Sequence, residues 1–129
     1  MIHNDPYYQD RSWVVEGAAV AEYSNGYNGS VALTTIERLT KTQIVLANGR
    51  RYNRGSLRLV GNYYGAELLP AKHRSVLDVL AQTAFRNLAQ RVWSLDKSFR
   101  GDRDAALANI RRIEEMAAEA RNNIEELAQ

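Results

Sequence analysis

The stretch from residue 36 to residue 61, IERLTKTQIVLANGRRYNRGSLRLVG, constrains the fold of this chain more than any other. β-Branched and aromatic residues alternate there with polar residues and glycines, which is typical of short antiparallel strands. The pair Asn48-Gly49 marks a hairpin turn, because both residue types tolerate the backbone angles that tight turns need. Several short strands separated by turns predict a small β-barrel.

The side chains beside this turn predict its length. A two-residue loop would pair Leu46 with Arg51 and place a charge on the buried face. A three-residue loop with Gly49 in the left-handed conformation instead pairs Ile44 with Tyr52. Ile44, Leu46 and Tyr52 then share the core face, and register is strongly specified where one face is buried. We therefore expect the three-residue loop.

The pattern changes near Gly65 from strands and turns to amphipathic helices. We expect an α+β fold with an N-terminal arm over residues 1–13 and a small five-stranded antiparallel β-barrel over residues 14–65. Two helices follow over residues 66–129, as a helical hairpin or an oligomerisation element. The strands are predicted at residues 14–23, 30–40, 43–47, 50–53 and 57–60, with a bulge near Thr34-Thr35.

The boundaries of the helices follow from capping signals. Either Pro70 occupies the first turn of the first helix, or Ser75 caps it with Asp78. Gly101 ends the connector, and Asp102 is expected to cap the second helix. The apolar face of the first helix is broad enough for two neighbours and comprises Leu77, Leu80, Ala81, Ala84, Phe85, Leu88, Val92 and Leu95.

A heptad seam runs along the second helix, with alternating spacings of four and three residues. Its members are Ala106, Ile110, Ile113, Ala117, Ala120, Ile124 and Leu127. The seam packs either against the preceding helix of the same chain or against a second chain. For self-association, the candidate residues are Ile110, Ile113, Ala117, Ala120, Ile124 and Leu127, with Trp93 as a further interface anchor.

Composition and motifs exclude several classes of function. The chain has 129 residues and no cysteine, so disulfides, thiolate metal sites and cysteine nucleophiles are excluded. His3 and His73 have no Asp, Glu or Ser at a spacing that indicates a catalytic dyad, and no phosphate-binding loop or metal-ligand spacing occurs. We expect no catalytic residue, no metal and no cofactor. Without a signal peptide or a long apolar run, a cytoplasmic protein is expected.

The basic segment after the turn is the candidate binding site. Arg50, Arg51, Arg54 and Arg58, together with Tyr27 of an earlier loop, are the candidate residues for binding a partner or an anion. Arginine matches the geometry of phosphate and carboxylate groups. In the alternative interpretation these arginines solvate an outward face and pair with acidic residues on adjacent strands, such as Glu16, Glu22 or Glu37.

The strand-and-turn spacing of TKTQIVLANGRRYNRGSLRLVG, preceded by GSVALTTIERLT, resembles small barrel proteins of actinobacterial phages. It is also similar to KOW-type and Src-homology-type barrels. The resemblance covers about residues 14–61. In such barrels a fourth strand ends in a short turn, here Arg54-Gly55-Ser56, before a fifth strand closes the sheet. The resemblance implies a small accessory protein that acts on a host or defence component, and it carries over no catalytic residue.

These features predict a non-enzymatic interaction protein of the phage accessory type. It would self-associate through its helices as a homo-oligomer and bind a host protein in the host cytoplasm. One alternative is a nucleic-acid-binding barrel that uses the segment 50–58. Another alternative is the sequestration of a small anionic ligand at an interface between protomers, where arginines and tyrosines would line the pocket.

Overall fold

The computed structural model describes residues 10–24, 29–61 and 65–127. The strands are β1 (Ala19–Ser24), β2 (Ser30–Leu39), β3 (Gln43–Leu46), β4 (Arg51–Asn53) and β5 (Glu67–Pro70), and the helices are α1 (Arg74–Ser98) and α2 (Arg103–Leu127). The predicted α+β class, with strands first and two helices last, is confirmed. The chain forms two compact units, residues 1–79 and 80–129, so α1 begins in the first and continues into the second.

The five strands form one antiparallel sheet in the order β4-β3-β2-β1-β5. This sheet curls into a half-barrel, and the segment 57–60 hydrogen-bonds to both of its edges. The amide of Val60 donates to the carbonyl of Arg51 in β4, at 3.0 Å. The amide of Leu68 in β5 donates to the carbonyl of Leu57, at 2.7 Å. Residues 57–60 therefore connect the two edge strands through backbone hydrogen bonds.

The β3–β4 hairpin has the predicted register. Ile44 lies opposite Tyr52, and Gly49 adopts a left-handed conformation with φ of 88°. The amide of Leu46 donates to the carbonyl of Arg50 at 2.9 Å, which closes the three-residue loop. Ile44, Leu46 and Tyr52 are fully buried. The three-residue loop, which was predicted from their shared place on the core face, is confirmed.

Two strand predictions and one prediction of a helix start are corrected. The segment 57–60 forms only isolated bridges, and the fifth strand is β5, beyond the boundary predicted near Gly65. Pro70 is the last residue of β5, not the start of a helix. The register irregularity of β2 lies between Ile36 and Arg38, not at Thr34-Thr35. The pairing of β1 with β2 continues without a shift through residue 35, because regular partners on β1 hold that stretch.

The core of the barrel lies on the concave side of the sheet. Its buried members are Val20, Ile36, Ile44, Leu46, Tyr52, Leu57, Ala66 and Leu68. Trp13 and Val14 pack against this core, although Val14 was predicted to begin a strand and β1 begins at Ala19. Between residues 10 and 18, turns form at residues 12–13 and 16–17, and the guanidinium of Arg11 donates to the carbonyl of Gly55 at 2.9 Å.

Side chains cap both helices. The Nδ1 atom of His73 accepts the amide of Ser75 at 3.0 Å, so His73 caps α1 in place of the predicted Pro70 or Ser75. Asp102 caps α2 as predicted, since its Oδ1 accepts the amide of Ala105 at 3.0 Å. Neither described helix is long and apolar enough to cross a membrane.

Candidate functional site

The barrel buries a carboxylate in a polar network. The side chain of Glu22 on β1 is only 5% exposed. Its Oε1 accepts a hydrogen bond from the hydroxyl of Tyr52, and its Oε2 accepts one from Nδ2 of Asn48, each at 2.8 Å. Both donors are neutral, so they orient the carboxylate without cancelling its charge. Arg50 supplies the opposite charge, with Nη1 3.6 Å from Oε1.

Tyr52 is held in its protonated form. Burial raises the pKa of its hydroxyl far above the ordinary value of 10.0, and the hydrogen bond to Glu22 acts in the same direction. The charge of Arg50 opposes this increase and is the smaller effect. Tyr52 is therefore a hydrogen-bond donor to Glu22 under ordinary conditions.

An open cavity of about 340 Å³ lies above this network. It is formed where β1 ends, β2 begins and the β3–β4 loop turns. Its lining includes Glu22, Ser24, Ser30, Asn48, Arg50 and Ala66. We call it the Glu22 pocket. The pocket combines a buried carboxylate with an adjacent guanidinium that is 59% exposed, so it presents both signs of charge to a ligand.

The other arginines of the basic segment have separate contacts. Arg51 is exposed and donates to Oε1 of Gln43 at 3.2 Å. Arg54 donates to the carbonyl of Thr40 at 2.7 Å. Nη2 of Arg58 lies 3.9 Å from Oε1 of Glu67, its bridge partner in β5. Of the four arginines, the structure places Arg50 alone in the lining of the Glu22 pocket.

The contacts of Arg50 agree with the alternative interpretation of ion pairing, because Glu22 was among the acidic residues expected as partners. The pairing of Arg58 with Glu67 was not anticipated. Phosphate binding by this segment would require several of these contacts to be exchanged. Tyr27, the remaining candidate of this set, lies outside the described residues.

The helical hairpin of residues 80–127 has an inner face where α1 and α2 meet. Side chains from both helices line two depressions of about 200 Å³ each. One depression is lined by Ala84, Leu88, Arg91, Met116, Ala120 and Asn123, among others. The second is lined by Val92, Leu95, Phe99, Ala106, Ile110 and Ile113, among others. The inner face of α2 thus includes Met116, which was not part of the predicted seam.

The predicted heptad seam is divided between two faces. Ile113 and Ala120 are half-buried on the inner face. Ile110 is 52% exposed and Ala117 is also exposed. Ile124 and Leu127 are half-buried. Ile110 and Ala117 are thus the two seam residues left at the surface, and the packing of the seam against a second chain stays a prediction.

One side of the hairpin carries apolar residues seven positions apart on each helix, a spacing that keeps side chains on one face. We call this the apolar hairpin face and define it by Phe85, Val92, Phe99, Ile110, Ala117 and Ile124. Phe85 is 65% exposed. The opposite side is polar, since Asn87, Arg91, Glu119 and Asn123 line the depression there.

Trp93 lies outside the apolar hairpin face. It is 60% exposed, and Nζ of Lys97 lies 4.9 Å from the centre of its ring. A cation over an aromatic face is a favourable contact within the helix. The structure therefore gives Trp93 a neighbour on α1 itself, one turn further along.

The geometry of both sites can be compared with known proteins. No family model, curated protein or solved structure matches this chain. Among the described residues, no group of His, Asp and Glu side chains is arranged to hold a metal ion.

Sequence reasoning did not identify Glu22 and Asn48 as members of a site. Glu22 has the same strand parity as Val20, which is fully buried, so an acidic residue occupies an inward position of β1. An inward carboxylate requires buried donors, and that requirement was the available signal. Asn48 was assigned only to the turn, and its second role depends on the contact with β1 across 26 positions.

Proposed function

We propose that this chain is a non-enzymatic interaction protein that self-associates through the apolar hairpin face. The observation that supports the proposal is the imbalance between buried and exposed apolar side chains in the hairpin. Of the described residues 80–127, only Met116 is buried. Phe85, Trp93, Leu107 and Ile110 are each at least 47% exposed.

Two helices with so small a core need further packing. Most of the stability of helices in proteins comes from burying an amphipathic face, not from intrinsic helix propensity. Contiguous exposed apolar surface marks an interaction site in soluble proteins. A second apolar hairpin face of the same kind would cover this surface with complementary side chains.

The charges of the two helices favour a second copy as the occupant. α1 carries four cations and two anions, a net charge of +2, whereas α2 carries four cations and six anions, a net charge of −2. A two-fold axis parallel to the hairpin places α1 of one copy against α2 of the other, in antiparallel orientation. Opposite charges then flank the apolar contact, as in a four-helix bundle.

Recognition of a partner protein is assigned to the barrel in this proposal. The barrel and the hairpin belong largely to separate compact units, so the two roles are assigned to different sets of residues. We propose Tyr27, Arg50 just before β4, and Arg51 at its first position as the residues for this contact. Alanine substitution of Tyr27, Arg50, Arg51 and Arg54 together is expected to abolish capture of that partner.

Self-association is tested by a matched pair of charge substitutions on opposite sides of the hairpin. Ile110→Asp adds a negative charge to the apolar hairpin face, and Asn123→Asp adds the same charge to the polar side. Sedimentation velocity over a range of protein concentrations measures the dissociation constant of each variant. We expect Ile110→Asp to weaken association at least about tenfold, because a carboxylate is buried without a partner.

Asn123→Asp is expected to associate like the unmodified chain. If Ile110→Asp associates as tightly as Asn123→Asp, the apolar hairpin face is not the interface. Circular dichroism of both variants confirms that the helical content is retained, so a loss of association is assigned to the surface.

A further inference from the structure

The Glu22 pocket offers a binding function separate from self-association. We propose that it binds a small zwitterion of the α-amino acid class, with the ligand ammonium on Glu22 and the ligand carboxylate on Arg50. The pocket is lined by residues of the unit 1–79 alone, and none of them belongs to the apolar hairpin face. The two proposals can therefore fail independently.

Glu22 has acceptor capacity left for a ligand. A carboxylate offers about four lone-pair positions. Tyr52 and Asn48 occupy one position on each oxygen, both at 2.8 Å. Arg50 stands 3.6 Å from Oε1, which is too long for a hydrogen bond. An ammonium group that enters the pocket can donate to the free positions without displacing Tyr52 or Asn48.

A ligand ammonium would also stabilise the buried negative charge of Glu22. Its side chain is 5% exposed, so little water solvates the charge. A buried carboxylate is costly unless it is both paired and hydrogen-bonded. Among the described residues, the cation paired with Glu22 is the guanidinium of Arg50, which is 59% exposed and beyond hydrogen-bond distance. A ligand ammonium would balance the negative charge of Glu22 more fully than Arg50 does.

Arg50 supplies the anion-binding half of the pocket. Its guanidinium carries five N–H donors in a planar fork that matches a carboxylate. The backbone amide of Arg50 donates to Oδ1 of Asn48 at 2.9 Å, so the turn fixes the base of this side chain. The same turn places Asn48 against Glu22, which holds the anionic and cationic halves of the pocket together.

The two charges select against a ligand of single charge. An anion on Arg50 lies near the carboxylate of Glu22, and a cation on Glu22 lies near the guanidinium of Arg50. Each is repelled by one of the two residues, whereas a zwitterion is attracted by both. The separation of 3.6 Å between Nη1 and Oε1 is small, so the ligand must carry its two charged groups close together, as on the single α-carbon of an amino acid.

The walls of the pocket suit a compact ligand. Ser24 and Ser30 contribute hydroxyl-bearing side chains, and Ala32 and Ala66 contribute small ones. The cavity of about 340 Å³ is near the lower limit for small-molecule sites. A free amino acid fits this volume, and the small walls leave room for its side chain.

Binding is tested by titrating the full chain separately with each of the twenty standard amino acids. The side-chain amide signals of Asn48 in nitrogen–proton correlation spectra report occupancy, because this group contacts Glu22 directly. We expect at least one amino acid to give a saturable shift. Two analogues of that amino acid serve as controls: one lacks the α-amino group and the other lacks the α-carboxylate. Each is expected to bind at least about tenfold more weakly than the amino acid itself.

Two arginine variants make the assignment specific. Arg50→Gln removes the proposed carboxylate ligand, and Arg51→Gln removes the neighbouring exposed charge outside the pocket. We expect Arg50→Gln to lose at least about tenfold in affinity and Arg51→Gln to bind like the unmodified chain. No saturable shift with any amino acid overturns the proposal. Equal binding by either singly charged analogue, or by Arg50→Gln, also overturns it.

Discussion

The hydroxyl of Tyr52 donates a hydrogen bond of 2.8 Å to Oε1 of Glu22, 30 positions earlier in the chain. This contact joins the β3–β4 hairpin to β1, which are not neighbours in the sheet order. It therefore crosses the interior of the half-barrel. The same contact, together with the hydrogen bond from Asn48, orients the carboxylate of the Glu22 pocket, so Tyr52 belongs to both the core and the candidate site.

Tyr52→Phe is expected to lower the free energy of unfolding by about 1.5–3 kcal/mol, the range for a hydrogen bond to a charged group. The substitution retains the ring in the core and leaves Oε1 of Glu22 without its donor. Urea unfolding measures the change. In a Glu22→Gln background the same substitution is expected to cost about 1 kcal/mol less, because the acceptor is neutral. Equal costs in both backgrounds contradict the assigned contact.

Tyr52 is also expected to make stability depend on alkaline pH. Its pKa in the folded chain is raised well above 10.0 by burial and by Glu22. The resulting stabilisation is complete below the ordinary pKa and is lost as pH increases from there toward the folded-state pKa, because the unfolded chain releases the proton first. Urea unfolding on both sides of pH 10.0 should show a larger loss for the unmodified chain than for Tyr52→Phe. Equal losses indicate that Tyr52 is not the source.

Gly49→Ala is expected to destabilise the barrel by about 1–2 kcal/mol, because a Cβ atom is unfavourable in the left-handed conformation. Gly49 has φ of 88° and no atom within 4 Å of an added Cβ, so the cost is conformational and not steric. Gly55→Ala is the matched control, since Gly55 has equal space without a left-handed φ. Thermal unfolding should show a lower midpoint for Gly49→Ala alone. Similar midpoints for the two variants contradict the assigned turn.

The sequence predicted local parts of the fold better than distant ones. The β3–β4 hairpin follows from its own turn and from side-chain parity within nine residues, Ile44 to Tyr52. β5 was missed because its sequence, ELLP, is a short apolar run with no alternation, which periodicity does not distinguish from a helix start. Its partner is β1, so only the distant pairing of Tyr23 with Glu67 reveals the strand.

The heptad seam shows a second limit of periodicity. The apolar surface of α2 is wider than one seam, and its residues can be joined in two ways. The sequence favoured Ala117, whereas the chain buries Met116 toward α1, and Ile110 lines a depression beside α1 while 52% exposed. Spacing alone does not show which edge of a broad stripe meets the neighbour. The choice depends on α1, whose own broad face was recognised without its partner.

The sequence predicted the exposed arginine of the candidate site but not the buried network around Glu22. Arg50 was identified because arginines cluster after the turn. The network beneath it was not, because Glu22 was considered only as a surface ion-pair partner. Its burial results from the register that places β1 beside β2 and β5. That register depends on long-range pairing, which no local pattern encodes.

Self-association through the apolar hairpin face is the central claim, and the mass of the chain in solution tests it most directly. Light scattering coupled to size-exclusion chromatography measures that mass without reference to molecular shape. We predict a particle of at least twice the chain mass of 14.6 kDa, and a shift toward 14.6 kDa for Ile110→Asp. A mass of 14.6 kDa for the unmodified chain at every accessible concentration would contradict the claim.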